Sequence, residues 1–455
     1  MLEREHHTQP LCWLQEAASQ PTFWQQIESQ LPVDLEPSAR QWKALVRVRA
    51  ITSASQLLRA LLCYALSLGS LKELAIWAKL AGVSQHLLSS QAWHQRVRQA
   101  SGWLLFLVGA VLAAPAPVRP WPAGRVLLVD GTSVCEREKT GEVWRVHTSY
   151  DLLAGRISEL VVTDRHVAEG FGHFQLRAGD VLVADAIYGR TNDLFWVDQQ
   201  QASFLVRWSP YHLPVYTPTV PEAADDQRLL VADWLKRLPV GTHERQAALR
   251  RDGQRLLVRL IVVVLPPEKA AALRRQRQRQ ARQKGRTLSQ ETLFLAGFVL
   301  LMSTLSACDW SAAHLVELYR ARWQVEMLFK RIKQLLSMQR LRCETPESAV
   351  ALIAALLLAW LLIEGEAETL RHELTDGEPL ACPLSSWQLQ RLAFKGLCAS
   401  IEGLWSPAAL RAAMPAFRRV LLQRRSRPLL EQQRRLQLLQ RFEPDLVAFF
   451  DCSRT

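Results

Sequence analysis

Residues Arg125–Gly131 read RVLLVDG, and residues Asp180–Asp185 read DVLVAD. Each contains a short unbroken apolar run that ends on an aspartate. Alternating apolar and polar residues would mark a strand with one wet face. An unbroken run marks a strand buried on both faces, and hence a mixed sheet covered by helices. An ionised carboxylate beside such a run costs free energy unless something compensates. A divalent cation is one compensation, because Mg²⁺ favours oxygen ligands from carboxylates, water and phosphate. An aspartate at a strand end can equally cap the next turn, and Asp130-Gly131 suits that as well.

Outward from these runs the strand pattern continues. VWRVHTSYDL (143–152) and RISELVVTDRH (156–166) are joined by Ala154-Gly155, a hairpin signal, and ASFLVRWS (202–209) reads as a further strand. Before them, residues 1–114 look helical. Leu57, Leu58, Leu61, Leu62 and Leu66 recur at helical spacing, and Leu71, Leu74, Ala75 and Ala78 continue the pattern. The stretch 70–100 breaks at Gly82 and then carries Arg96 and Arg98; it reads as a helix-turn-helix or as a plain helical hairpin. Pro115, Pro117, Pro120 and Pro122 punctuate the chain as a linker.

From about Ser209 to Ser289 turns lead to a strong strand, RLLVRLIVVVLPP (255–267), and then to EKAAALRRQRQRQARQKGR (268–286). That segment holds eight basic residues and one acid, too charged for a core. It is either a solvated helix face or a phosphate-binding stripe. TLFLAGFVLLM (292–302) reads as a strand returning to the sheet, followed by one long helix from about Ser311 to Gln339 and a helical remainder with a second basic segment at 411–441. The expected units are therefore a helical region at 1–120, the core sheet at 121–208 and 290–375, a strand-rich insertion at 209–289 and a helical region at 376–455.

A formal charge of +13 from 56 Lys+Arg and 43 Asp+Glu points to a polyanion as partner. The eight cysteines are scattered without a CxxC pair, which excludes a zinc ribbon or a disulfide framework and suits a reducing cytoplasm. MLEREHHTQP lacks the apolar core of a signal peptide, and the apolar run 349–363 is short for a membrane span, so it reads as a buried helix and no membrane partner is expected.

The stretch ELYRARWQVEMLFKRIKQLL (317–336) bears on chemistry. Tyr319, Arg322, Glu326, Lys330 and Lys333 fall within an arc of roughly 80° on a helix, while Leu318, Val325, Ile332 and Leu336 form an adjacent apolar stripe. Such a helix packs by its stripe and presents one carboxylate among an aromatic hydroxyl and three cations. It is a solvated face with Glu326–Lys330 pairing, or a metal-binding Glu among phosphate-gripping cations.

Tyr319, Arg322, Glu326 and Lys333 have the spacing of the Tyr-Arg-Glu-Lys signature, and the chain resembles DDE-type bacterial insertion-sequence transposases of the insertion-sequence-four family. VLLVDGTSV (126–134), WRVHTSYDL with ISELVVTD, and GDVLVADAIYGR (179–190) resemble that family's other segments in order, over about residues 40–375. The resemblance implies a ribonuclease-H-like sheet interrupted by the insertion. It implies Asp130, Asp185 and Glu326 as a catalytic, metal-binding triad for Mg²⁺ or Mn²⁺, with two ions expected. It also implies DNA contacts through Tyr319, Arg322, Lys333 and Arg207, with Lys330 assisting from the same face. Related enzymes carry a Trp where Phe298 stands here, so Phe298 is expected to stack on a flipped base during a hairpin step.

The implied reaction is cut-and-paste transposition: cleavage at the ends of an element and strand transfer to target DNA. The implied partners are the element's double-stranded terminal repeats, target DNA and a second copy of the chain in a synaptic dimer, in a cytoplasmic protein on the nucleoid. The competing readings are a non-catalytic DNA-binding regulator or relic, and a nuclease without strand transfer.

Overall fold

The computed structural model describes residues 23–114, 124–136, 143–218, 227–343, 345–375 and 384–402. The proline linker and the basic segment at 411–441 lie outside the described residues.

Six helices come first: α1 (Phe23–Ser29), α2 (Leu35–Gln41), α3 (Ala54–Leu66), α4 (Leu71–Leu80), α5 (Ser90–Gln99) and α6 (Ser101–Ala113). Their starts are written in the sequence. Asp34, Ser53, Ser70 and Ser89 each cap a helix by accepting a backbone N–H from its first turn. The break after α4 falls at Gly82, whose φ of +68° is left-handed. Trp93 and Val97 of α5 are buried, and Arg98 pairs with Glu347 at 3.4 Å, so this helix is packed into the body of the protein.

The sheet has the strands β1 (Val126–Glu136), β2 (Trp144–Asp151), β3 (Arg156–Asp164), β4 (Val181–Ala184), β5 (Ser203–Arg207), β6 (Gly241–Arg251), β7 (Gln254–Val264), β8 (Phe298–Ser303) and β9 (Arg340–Leu341). Their spatial order is β3-β2-β1-β4-β5-β8-β7-β6, with β9 pairing alongside β1. β1, β4 and β5 are parallel neighbours, and the other pairings along this order are antiparallel. The helices α7 (Thr191–Gln199), α8 (Val231–Lys236), α9 (Pro267–Gln283), α10 (Gln290–Leu295), α11 (Ala312–Ala321), α12 (Trp323–Leu336), α13 (Pro346–Thr375) and α14 (Ser386–Glu402) complete the described chain.

The unbroken apolar run of β1 does what its pattern requires. Val126 and Leu128 join a core shared with α3, α5, α6, α12 and α13, while Leu127 and Val129 join a second core with Leu182, Phe171 and Tyr188. These are the two faces of one sheet, called front and back below. α13 forms the spine of the front layer. Its most apolar window would be long enough to span a bilayer, yet 83% of that window is buried in the protein.

Three local readings need correction. The strand expected at 292–302 begins only at Phe298; residues Gln290–Leu295 are α10, started by Ser289 accepting the Thr292 N–H. A short apolar run serves helix or strand equally, and here the cap decides. The single helix expected from Ser311 to Gln339 is two, α11 and α12, parted at Arg322. There the Val325 N–H turns to the Arg322 carbonyl at 3.1 Å, one residue short of the α-helical partner. β1 does not stop at Asp130 but runs on to Glu136, where it pairs with β2 and β9.

The β6–β7 hairpin extends the same sheet through β7 and β8. From it Arg259, buried on the front face, donates to the carbonyls of Leu305 and Trp310 at 2.8 and 2.9 Å and to Glu244 at 2.7 Å. It thereby fastens the segment that leads into α11.

Candidate active site

The heights of the two aspartates are set at the opposite ends of their strands. Asp180, fully buried, accepts from the Arg125 backbone N–H at 3.0 Å and binds its guanidinium at 2.7 Å. Close by, a side chain on Gly124 would meet the Gly179 carbonyl group at 2.6 Å, so only glycine lets the two backbones approach. The resulting register pairs Leu127 with Leu182 and Leu128 with Val183. Two residues on, Asp130 within β1 and Asp185 just past the end of β4 come level on the front face. Gly131 donates its N–H to Asp130 Oδ1 and Ile187 its N–H to Asp185 Oδ1, both at 2.9 Å, so each carboxylate is oriented by the turn-side backbone.

Opposite them lies the junction of α11 and α12. Arg322 occupies the break, and its guanidinium reaches Asp130 Oδ2 at 3.3 Å with one nitrogen and Glu326 Oε1 with another. Its head also lies 5.8 Å from the centre of the Tyr319 ring. The pairing foreseen between Glu326 and Lys330 gives way to this one. Burial pushes the Asp130 carboxyl up to about 6; Arg322 and the Gly131 N–H pull the other way, while Asp185 and Glu169 add to the rise. Burial opposes the charge on Arg322, but Tyr319, Glu326 and Asp130 outweigh it and raise its pKa. Burial raises the pKa of Tyr319 despite the nearby cations Arg322 and Arg207.

The candidate residues converge unevenly. Asp130, Asp185, Arg207, Tyr319, Arg322 and Glu326 gather at one edge of the front face. Lys330 is exposed and Lys333 partly buried, further along α12. Phe298 is not brought to them. It belongs to the back core, 8% exposed, with its ring 5.1 Å from that of Phe294. Side chains alternate along β8, and this one falls on the wrong face for a base at Asp130. Trp323, next to Arg322 in the chain, is 42% exposed.

Behind the carboxylate edge stands a set of residues that the sequence did not single out. Gly131 points to the back, and a Cβ there would meet the Glu169 carboxylate at 2.9 Å. Glu169 pairs with Arg145 at 3.4 Å. His147, opposite Gly131 in the register, is fully buried, stacks on His173 at 4.1 Å and contacts Thr163 Oγ1 at 2.9 Å. Burial, then His173 and Arg145, push its pKa down to about 4, so it is neutral. Tyr188 is wholly buried, and its hydroxyl has no hydrogen-bond partner among the described residues. On the front face Thr148, directly across from Asp130, likewise buries a hydroxyl with no partner among the described residues. These residues were invisible because the loop 165–175 and the β2–β3 hairpin bring them together from separate segments.

The donors at the front edge are all carboxylate oxygens, the set preferred by a hard divalent ion. Among the described residues no three Asp, Glu, His or Cys side chains stand close enough to hold a metal ion as they are. The positive charge that two of the acids need is supplied by Arg322. The donor chemistry therefore fits Mg²⁺ or Mn²⁺, with Arg322 in the position of a stand-in cation.

A mixed sheet with level aspartates at its carboxyl edge, faced by a helix bearing a glutamate and cations, defines a class of polynucleotide phosphoryl-transfer enzymes. Similarity to known proteins narrows the class. Residues 121–362 match the transposase DDE domain family. The transposase of insertion sequence element IS421 from Escherichia coli is 34% identical over 342 residues, covering 73% of this chain and 90% of its own length. The transposase of IS231B from Bacillus thuringiensis subsp. berliner is 24% identical over 230 residues, 46% of this chain and 48% of its own. The chain belongs to the family of DDE-domain transposases of insertion-sequence elements.

Proposed function

We propose that this transposase cleaves the ends of an insertion element and joins them to target DNA, with Asp130, Asp185 and Glu326 as the catalytic carboxylates. One observation carries the assignment: a buried Asp130, its carboxyl pushed up to about 6, shares the cation Arg322 with Glu326. Acids that strand and helix hold together at such a cost have a use for positive charge.

Asp130, Asp185 and Glu326 would hold Mg²⁺ or Mn²⁺. When bound, such ions neutralise charge on the phosphodiester and favour in-line attack at phosphorus. The chain's own residues do the positioning. Gly131 and Ile187 orient the two aspartates through backbone N–H groups. Arg322, released from one of its carboxylates, turns its fork to a phosphate. Lys330, Lys333 and Arg207 steady the backbone of the DNA, and Tyr319 packs at the strand end. Water opens the first phosphodiester, and the freed 3′-OH is the next nucleophile, so no covalent enzyme intermediate is required. The Tyr-Arg-Glu-Lys spacing and the insertion before β8 support membership of the insertion-sequence-four group and a ribonuclease-H-like core. A synaptic dimer on the nucleoid belongs to the same reading.

The test is cleavage of a labelled element-end duplex by wild type and Glu326→Gln, with Mg²⁺ or with EDTA, and binding measured in parallel. Metal-dependent nicking by wild type only, with binding by both, is the expected result. Binding by both and cutting by neither would make the protein a DNA-binding regulator.

A further inference from the structure

Helix α9 is the most basic described element and has no role in the centre just described. The strand directions carry it to that centre. β5 pairs antiparallel with β8, and β8 antiparallel with β7, so β7 runs the same way as β5. It therefore ends at the edge where Asp130, Asp185 and Arg207 stand, and α9 begins directly after it at Pro267.

The arginines of α9 are not equivalent. Arg275, Arg279 and Arg282 are exposed, as a solvated face would be. Ala270, Arg274, Arg277 and Ala281 make the inner face, with both alanines buried and Arg274 Nε donating to the Leu293 carbonyl at 3.0 Å. One turn on, Arg277 is partly buried with no ion pair among the described residues. Its neighbour is another cation. Arg207 ends β5, two residues beyond the front-core Leu205, and so points to the front face, where its charge also reaches Tyr319. Burial first, and then Arg207, lower the pKa of Arg277. The one acid on α9 is Glu268, in its first turn, roughly 13 Å along the axis from Arg277 at 1.5 Å per residue.

Two guanidinium groups near each other, half out of water and with no ion pair among the described residues, repel. A shared anion reverses the sign, and planar guanidinium forks suit phosphate oxygens. We infer that Arg207 and Arg277 form a clamp for one DNA phosphodiester beside the catalytic acids, joining α9 to the active edge. This rests on the DNA-cutting reading above and adds to it a binding site built partly from the insertion.

The experiment measures binding of a short element-end duplex, cleavage, and thermal melting for wild type, Arg207→Ala, Arg277→Ala, Arg279→Ala and the Arg207→Ala/Arg277→Ala double variant. Arg277→Ala should weaken binding about tenfold, the loss of a charge-assisted hydrogen bond, whereas Arg279→Ala, which removes the same charge from the exposed face, should cost about twofold. The double variant should bind no worse than the weaker single, because one phosphate is lost only once. Arg277→Ala should melt no lower than wild type, since it relieves repulsion. Equal losses for Arg277→Ala and Arg279→Ala, additive losses in the double variant, or a lower melting point for Arg277→Ala would each overturn the clamp. Cleavage by wild type separates the two claims. A wild type that cuts while the clamp signature is missing leaves the catalytic reading standing. One that binds with the signature but never cuts leaves the clamp standing without it.

Discussion

At Asp130 and Gly131 two successive residues of β1 look in opposite directions, and the two faces they serve are built differently. In front, Arg322 is shared between Asp130 of β1 and Glu326 of α12, with Asp185 close by. Behind, His147 is held neutral, Tyr188 is sealed in, and Glu169 has Arg145 as its partner. Front charges can exchange partners because water, a metal ion or DNA can replace any of them. At the back, His147 and Tyr188 cannot, because both are buried away from water. The proposed chemistry lies on one side of a strand, and buried groups on the other side keep that strand in place.

The sharpest way to break this division is Gly131→Ala. The added methyl enters the back face against the Glu169 carboxylate, and overpacking of this kind costs about 1–3 kcal/mol. Melting should fall by several degrees, and cleavage should fall with it, because Gly131 N–H also orients Asp130. An alanine variant that melts like wild type would mean that the two faces are not coupled through β1.

Removing the front charge should do the reverse. The folded pKa of Asp130 is raised from 3.8 to about 6, mainly by burial, so folding favours its protonated form. That contribution is fully present below about pH 4 and is lost as pH rises through about 6. In EDTA, Asp130→Asn should therefore melt higher than wild type above pH 6, by about 1–2 kcal/mol, with the gap closing towards pH 4. A difference that does not change with pH would refute the burial argument. The smallest effect is expected for Tyr188→Phe, which deletes a buried hydroxyl with no partner among the described residues. Stability should change by less than about 1 kcal/mol, and upward, with cleavage retained. A marked loss of either would give that hydroxyl a role in positioning the aspartates.

What the sequence disclosed follows the same line between local and distant. RVLLVDG and DVLVAD declare strands buried on both faces because the pattern is carried by consecutive residues. The face shared by Tyr319, Arg322 and Glu326 follows from helical spacing alone. The break at Arg322 and the helix at 290–295 were not legible: one is a change in a single backbone hydrogen bond, the other an apolar run that suits either structure. Arg207 was reached through resemblance, but its neighbour Arg277 needed the path of β7. Phe298 begins β8, and the alternation of that strand turns it to the back core. Glu169 and Tyr188 lie on opposite sides of Asp180 in the sequence and carry no local signal. Asp180 is only the start of an apolar run in the sequence, yet its bonds to Arg125 set the level of Asp130 and Asp185.

The apolar spine α13 has a consequence for how the protein is made. Its partners on one side, α3, α5 and α6, leave the ribosome before any strand of the sheet, whereas α13 itself is translated only after all nine strands. Until then the early helices have open grooves, and when α13 emerges it is a segment that a membrane-insertion machinery could accept. Vectorial synthesis thus leaves the N-terminal helices waiting for a later part of the same chain. A nascent protein stalled or truncated before Pro346 would expose apolar surface to chaperones and proteases, so only a chain translated past its spine would reach DNA.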